Sequence, residues 1–134
     1  VVMCRNESDY DENFVCQKPA TDLGRDVRVW VLGGKTVASI LRVSDTDFRS
    51  NYCLGGRAEI YGLSKAETQK VQKIIDLVTP LGAHYYGVDF LFDNGRMIFN
   101  ELEDTVGARM IYDKTDIDII DMYIKYIKSK CLPY

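Results

Sequence analysis

The sequence predicts an α+β fold, an antiparallel sheet with helices packed on one face. Two stretches of strand-like alternation each turn back on themselves at glycine, around Gly33-Gly34 and at Asp93-Asn94-Gly95. Two other stretches carry apolar residues at helical spacing, one after each hairpin. The composition, 46% hydrophobic and 28% charged over 134 residues, is that of an ordinary globular chain.

Each element has a local reason. Phe14-Val15-Cys16-Gln17 is a short apolar run, and Pro19 opens a polar loop that lasts to Gly24. Val27, Val29 and Val31 then alternate with Arg28 and Trp30, and Val37 to Leu41 returns as the second arm of a hairpin. Trp30 points away from the valines, toward either core or a partner. From Val43 to Gly62 no periodicity is sustained, so a long loop is expected, of the kind that carries function or is disordered. Ser64-Lys65-Ala66-Glu67 is a capping box, and Val71, Ile74, Ile75 and Val78 follow as one apolar stripe until Pro80 ends the helix. Tyr85 to Phe92 and Met97 to Glu103 form the second hairpin. The last helix starts from Asp116 as N-cap, carries Ile120, Tyr123, Ile124 and Ile127 as its apolar stripe, and ends among Lys125, Lys128 and Lys130, where the helix dipole favours cations.

Length and charge narrow the function. A chain of 134 residues suffices for a single domain spanning 1–134 with its own core, without disulfides or a structural metal. A net charge of −3 argues against nucleic-acid binding, which draws its affinity from Lys and Arg on phosphates. No apolar run is long enough to span a bilayer, and Glu7, Asp9, Asp11 and Glu12 stand where a signal peptide would be apolar. Cys4, Cys16, Cys53 and Cys131 are scattered without a C-x-x-C pair, which suggests free thiols and a cytoplasmic setting. The chain begins Val1-Val2 in strand-like sequence, as expected of a fragment.

The turn of the second hairpin decides which side chains share a face, because a one-residue slip swaps the faces of a strand. A two-residue Asn94-Gly95 turn pairs Asp93 with Arg96. A three-residue turn with Gly95 as a bulge pairs Phe92 with Arg96 and Asp89 with Phe99. The bulged turn is favoured because it gathers Asp89, Glu101 and Glu103 with Leu91, Met97 and Phe99, leaving Val88, Phe90, Phe92, Ile98 and Leu102 as an apolar face for the helices. Three carboxylates on one face repel, by about 4 kcal/mol for a unit pair about 4 Å apart at an effective dielectric near 20. A hard divalent cation such as Mg²⁺ would relieve this; the alternative is a solvated acidic face neutralised by Arg or Lys. Opposite in sign stand Arg28, Arg42 and Arg49, with Asn51 and Gly55-Gly56. A planar guanidinium offers two parallel donors to phosphate, and a Gly pair lets backbone amides approach an anion.

In this order the motifs resemble those of the ATP-grasp carboxylate–amine ligases, in the branch of ribosomal-protein glutamate ligases and glutathione-synthetase-like enzymes. Gly24-x-Asp26-x-Arg28-Val29 is similar to the family's G-x-D-x-R-V strand, and Phe48-Arg49-Ser50-Asn51 with Gly55-Gly56 to its F-R-S-N…G-G loop. Gly87-Val88-Asp89 matches its G-V-D strand, Glu101-Leu102-Glu103 stands at its E-x-N, and Thr115 to Ile119 resembles the start of its final helix. The resemblance covers about residues 14 to 127.

The resemblance implies the C-terminal lobe of the ATP-grasp fold, with the N-terminal substrate domain and the lid lobe absent from this chain. It implies ATP and Mg²⁺ as cofactors, with Mn²⁺ as a substitute, and small carboxylate and amine substrates as partners. Gln17, Lys18 and Pro19 would border adenine, with Leu91, Met97 and Phe99 as an apolar wall, and Asp26 and Arg28 would belong to the same nucleotide site. Asp89, Glu101 and Glu103 would hold the metal, and Arg42, Arg49 and Asn51 would meet the γ-phosphate or an acyl phosphate. The reaction implied is ATP-dependent amide formation through an acyl phosphate, with this fragment inactive alone. A non-catalytic metal- or nucleotide-binding interaction module is the alternative. Glu103 for the family's Asn, and Val106-Gly107 for its Pro-Gly, are the departures, and the first adds a negative charge to the site. His84 and Cys53 lack partners at motif spacing and are expected to be structural or inert.

Overall fold

The computed structural model describes residues 3–9, 12–13, 15–50 and 56–131. Five strands form one antiparallel sheet: β1 (Arg25–Leu32), β2 (Lys35–Val43), β3 (Arg57–Ile60), β4 (Tyr85–Asp93) and β5 (Arg96–Glu103), in the order β3-β2-β1-β4-β5. Among the described residues three α-helices accompany it: α1 (Lys65–Val78), α2 (Arg109–Lys114) and α3 (Ile119–Cys131). β3 lies inside the segment expected to be loop. It is four residues long and at the edge of the sheet, too short to show a periodicity.

The α+β class and the antiparallel sheet stand, but the helices divide between both faces instead of covering one. Val27, Val29 and Val31 pack with Val88, Phe90 and Phe92 under Val71 and Ile75 of α1. Trp30, Leu32 and Ile40 point the other way and pack with Val106, Met110, Ile111 and Ile119 from the α2 and α3 side. The apolar run from Val29 to Leu32 is therefore that of a central strand buried on both sides. Trp30 belongs to the core, its Nε1 donating to the Gly107 carbonyl at 3.1 Å.

α1 begins as its sequence dictates: Ser64 Oγ accepts from the Glu67 amide at 3.3 Å, and the Glu67 carboxylate accepts from the Ser64 amide at 2.8 Å. α3 starts later than expected, because Asp118, not Asp116, accepts from the Asp121 amide at 3.0 Å. The six-residue α2 was hidden in the sequence by its length.

The second hairpin closes with the two-residue Asn94-Gly95 turn, with φ of 50° and 71° at its central positions, and Asp93 pairs with Arg96. The bulged turn is thus corrected. The bulge lies within β5: Phe90 pairs with Phe99 and Asp89 with Glu101, leaving Asn100 as the extra residue. Asp89, Glu101 and Glu103 still share a face. Met97 and Phe99 are on the α1 face, with Met97 fully buried there, and Ile98 exchanges with them to sit opposite Leu91.

Candidate functional site

The sheet face that carries Trp30 is apolar only over half its length. Toward the start of β1 the positions Asp26 and Arg28 pair across to Arg42 and Ile40 on β2 and to Leu91 and Asp89 on β4. Alternation therefore delivers five charged side chains to one region: Asp26, Arg28, Arg42, Asp89 and, across β5, Glu103.

These groups form one continuous ion-pair network. Asp89, only 2% exposed, accepts from Arg28 at both oxygens, Nε to Oδ1 at 2.7 Å and Nη2 to Oδ2 at 2.7 Å. Its Oδ2 also accepts from Arg42 Nη2 at 2.7 Å. Arg42 is buried and is gripped from its other side by Asp26, Nε to Oδ1 at 2.6 Å with a second bond from Nη2 to Oδ2. Burial pulls the Arg42 pKa down, but hydrogen bonding and charge from Asp26, joined by Asp89, outweigh it and hold the guanidinium above its ordinary value. Arg28 Nη2 reaches Glu103 Oε2 at 3.1 Å, and Thr105 Oγ1 donates to the other Glu103 oxygen at 3.3 Å. Glu101, opposite Asp89 on β5, is exposed and has no ion-pair partner among the described residues.

Next to this network lies a cleft of about 230 Å³ lined by Gln17, Lys18, Pro19 and Ala20 on one side and by Leu91, Asp93, Ile98, Phe99 and Asn100 on the other. Leu91 is two residues from Asp89 on the same strand face, about 7 Å at 3.3–3.4 Å per residue, so the cleft adjoins the charged region. The hairpin turn fixes the cleft's far end. Thr21 Oγ1 accepts from the Asn94 amide at 2.6 Å, Asp22 Oδ2 from the Gly95 amide at 3.2 Å, and the Asp22 amide donates to the Phe92 carbonyl at 3.1 Å. Thr21 and Asp22 were missed in the sequence, where they read as loop polarity. Lys70 of α1 donates to the Met97 carbonyl at 2.7 Å and steadies β5 from the opposite face.

The expected residues distribute as follows. Gln17, Lys18, Pro19 and Phe99 meet in the cleft, with Leu91 and Ile98 as its apolar wall; Met97 faces the core instead. Asp26, Arg28, Arg42, Asp89 and Glu103 meet in the network. Arg49 stands apart: its guanidinium is taken by Asp47 at 2.7 Å and lies over the Phe48 ring, and no described contact joins it to Asp89. Its hydrogen bonds to Asp47 hold that carboxyl at a pKa of about 2. Asn51, Cys53 and Gly55 lie outside the described residues. His84 bonds the Tyr126 hydroxyl at 3.0 Å, a link between β4 and α3 away from the charged face. Cys4, Cys16 and Cys131 are free thiols.

The donor chemistry suits a hard divalent cation, in that Asp89 and Glu101 are cross-strand partners and both offer carboxylate oxygens. A carboxylate has about four acceptor positions, and arginines take three of those on Asp89. Among the described residues no three His, Cys, Asp or Glu converge on one point, because Glu103 is drawn toward Arg28. A larger recess of about 440 Å³ lies at the other edge of the sheet, lined by Val43, Gly56, Arg57, Ala58, Glu59 and Lys114. It shares no lining residue with the network, although Val43 follows Arg42 in β2 and Ala58 is the cross-strand partner of Arg42.

Comparison with known proteins gives the family and the fold. The chain is 35% identical over 107 residues to a probable alpha-L-glutamate ligase of Methanococcoides burtonii, covering 79% of this chain and 35% of that protein. It is 33% identical over 111 residues to probable alpha-L-glutamate ligase 2 of Pseudoalteromonas atlantica, covering 82% and 36%. The chain thus spans about a third of the length of these relatives. Its fold is shared with the ATP-grasp ligase PsnB, solved with a phosphomimetic variant of its minimal precursor, Mg and ADP (TM-score 0.61, 19% identity, 85% of this chain and 34% of that one). It is shared also with the D-alanine–D-alanine ligase of Bacillus anthracis complexed with ATP (TM-score 0.56, 16% identity, 80% and 39%). The model of the RimK-like ATP-grasp domain matches residues 5–127, nearly the whole chain, and the chain belongs to that family.

Proposed function

We propose that this chain, over residues 1–134, is the C-terminal, nucleotide- and Mg²⁺-gripping lobe of an ATP-dependent carboxylate–amine ligase that acts on amino-acid or peptide substrates. One observation carries the reading: a cleft with an apolar wall for a planar base runs into an arginine–carboxylate face on the same side of one sheet. Leu91 and Ile98 would pack on adenine, with Phe99 bordering the cleft from β5 at the sheet edge, and the Gln17–Pro19 segment would border the polar edge of the base. Asp89 and Glu101, with Glu103, would hold Mg²⁺, which neutralises phosphate charge when bound. Arg42, fixed by Asp26 and Asp89 before any ligand arrives, needs little reorganisation as charge develops on the transferred phosphoryl group, and Asp89 holds Arg28 in place beside it. Arg49 and Asn51 would join them on the acyl-phosphate side. The substrate carboxylate takes the γ-phosphoryl group, and the amine then displaces phosphate to give the amide.

Excluding water and orienting the carboxylate need surfaces beyond this lobe. The chain alone is therefore expected to bind nucleotide without making amide; ATP- and Mg²⁺-dependent amide formation by this chain alone would refute that part. The supporting measurement is calorimetric titration of ADP, with and without Mg²⁺, into wild type and the Asp89→Ala/Glu101→Ala double variant. Mg²⁺-dependent binding lost in a variant that still unfolds cooperatively supports the reading. Binding indifferent to both favours a non-catalytic module, in which the arginines on Asp89 serve structure alone.

A further inference from the structure

We infer that Glu103 is a cation-released latch on Arg28: without a divalent cation it occupies the arginine that phosphate would use, and with one it lets go. This rests on the nucleotide reading above. Arg28 sits between two carboxylates. Its hold on Asp89 is bidentate and nearly fully buried, with both bonds at 2.7 Å, whereas its bond to Glu103 is single, 3.1 Å long and made to a side chain 33% exposed. The Asp89 contact is thus the permanent one and the Glu103 contact the exchangeable one, because a longer, more solvated charge-assisted bond is the weaker.

The same Nη2 atom serves both bonds, so an incoming phosphate oxygen meets a donor already in use and a carboxylate that repels it. Thr105, on the short stretch after β5, holds the other oxygen of Glu103 at 3.3 Å and keeps the side chain turned toward Arg28. The neighbouring carboxylate on this face is Glu101, exposed and without an ion-pair partner among the described residues, so a cation bound at Glu101 and Asp89 would draw Glu103 as well. A neutral side chain at this position would hold Arg28 less tightly, because a hydrogen bond to an ionised acceptor is about twice as strong as a neutral one. The Glu103 carboxylate therefore ties access to Arg28 to the presence of the metal.

The test compares wild type, Glu103→Gln and Glu101→Gln by calorimetric titration of ADP in EDTA and in Mg²⁺. Both variants lose one negative charge from the same face, but only Glu103 touches Arg28. Glu103→Gln is expected to raise metal-free ADP affinity by about tenfold or more and to shrink the Mg²⁺ effect, with Glu101→Gln gaining clearly less. Equal gains in the two variants, or none in Glu103→Gln, overturn the latch while leaving the nucleotide reading intact. Absence of ADP binding in all three proteins even with Mg²⁺ overturns the reading and the latch together. A second readout needs no nucleotide: on adding Mg²⁺ alone the ¹⁵N signal of Arg28 Nη2, the atom that bonds Glu103, is expected to move in wild type and clearly less in Glu103→Gln, and an unmoved wild-type signal counts against the latch.

Discussion

Arg28 and Asp89 are direct cross-strand partners in the centre of the sheet, and their bidentate ion pair joins β1 to β4 where hydrophobic contact stops. Removing the Asp89 carboxylate leaves two guanidiniums, those of Arg28 and Arg42, without the acceptor they share. Breaking a buried pair by deleting one partner costs about 3–5 kcal/mol. Asp89→Ala is expected to lose about this much in urea unfolding, and Asp89→Asn, which keeps one acceptor oxygen, less. A loss under about 1 kcal/mol in both variants would show that water reaches the pair more freely than its burial indicates.

Gly33 tests how α3 is seated. Its φ is +57°, and a Cβ there would lie 2.5 Å from the Tyr126 ring. Gly95 has a similar φ, +71°, with open space around it. Gly95→Ala should show only the backbone term, about 1–2 kcal/mol, and Gly33→Ala that term plus displacement of Tyr126 from the β1–β2 turn. The displacement also strains the His84–Tyr126 hydrogen bond, so the difference between the variants should shrink in a Tyr126→Ala background. A difference that persists there would contradict the packing.

The capping box of α1 gives a pH dependence of known sign. Burial raises the Glu67 pKa, but bonds from the Ser64 hydroxyl side and amide, with Tyr61 and Lys70, outweigh it and leave it below the ordinary value. A carboxylate with a depressed folded pKa stabilises fully above its unfolded pKa and loses that contribution as pH falls through the folded value. The Tm gap between wild type and Glu67→Gln is therefore expected to be widest near neutral pH and to close in acid. Ser64→Ala, which removes the cap itself, should cost about 1 kcal/mol.

Much of this was legible in the sequence, and the failures have physical causes. The hairpins, the capping box and the motif order fixed the strands that carry the site, because turn chemistry and alternation act locally. The distribution of helices over two faces was written in β1, where Val29 to Leu32 is apolar at every position, but Trp30 alone could not say what would cover it. Arg42 and Asp26 could be placed on one face, yet their mutual capture depends on a register set by the Gly33-Gly34 turn and the irregularity beyond Trp30. Arg49 is held away from the network because Asp47, two residues away, pairs with it locally. Most instructive is the second hairpin: the right carboxylates were assigned to one face through the wrong bulge, since a bulge anywhere between Asp93 and Glu101 corrects the same parity.

That degeneracy yields a last prediction. Met97 and Phe99 face α1, while Glu101 and Glu103, at the same odd positions, face the charged network; only the extra residue at Asn100 allows both. Deleting Asn100 makes Phe99 and Glu101 successive, and plain alternation then places them on the faces they already occupy. The deletion variant is expected to fold with the Val88–Leu102 and Phe92–Met97 pairings intact, detectable as cross-strand nuclear Overhauser effects, and to lose only a lining residue of the cleft. Inserting a residue after Asn100 also keeps the faces, because Phe99 and Glu101 are then three positions apart, but it breaks the register. Absorbed in alternation, it sets Glu101 opposite Gly87 instead of Asp89, so the insertion variant is expected to lose the Val88–Leu102 contact that the deletion keeps. If deletion and insertion proved equally disruptive, Asn100 would have a role beyond setting parity, and the face shared by Asp89 and Glu101 would need another explanation.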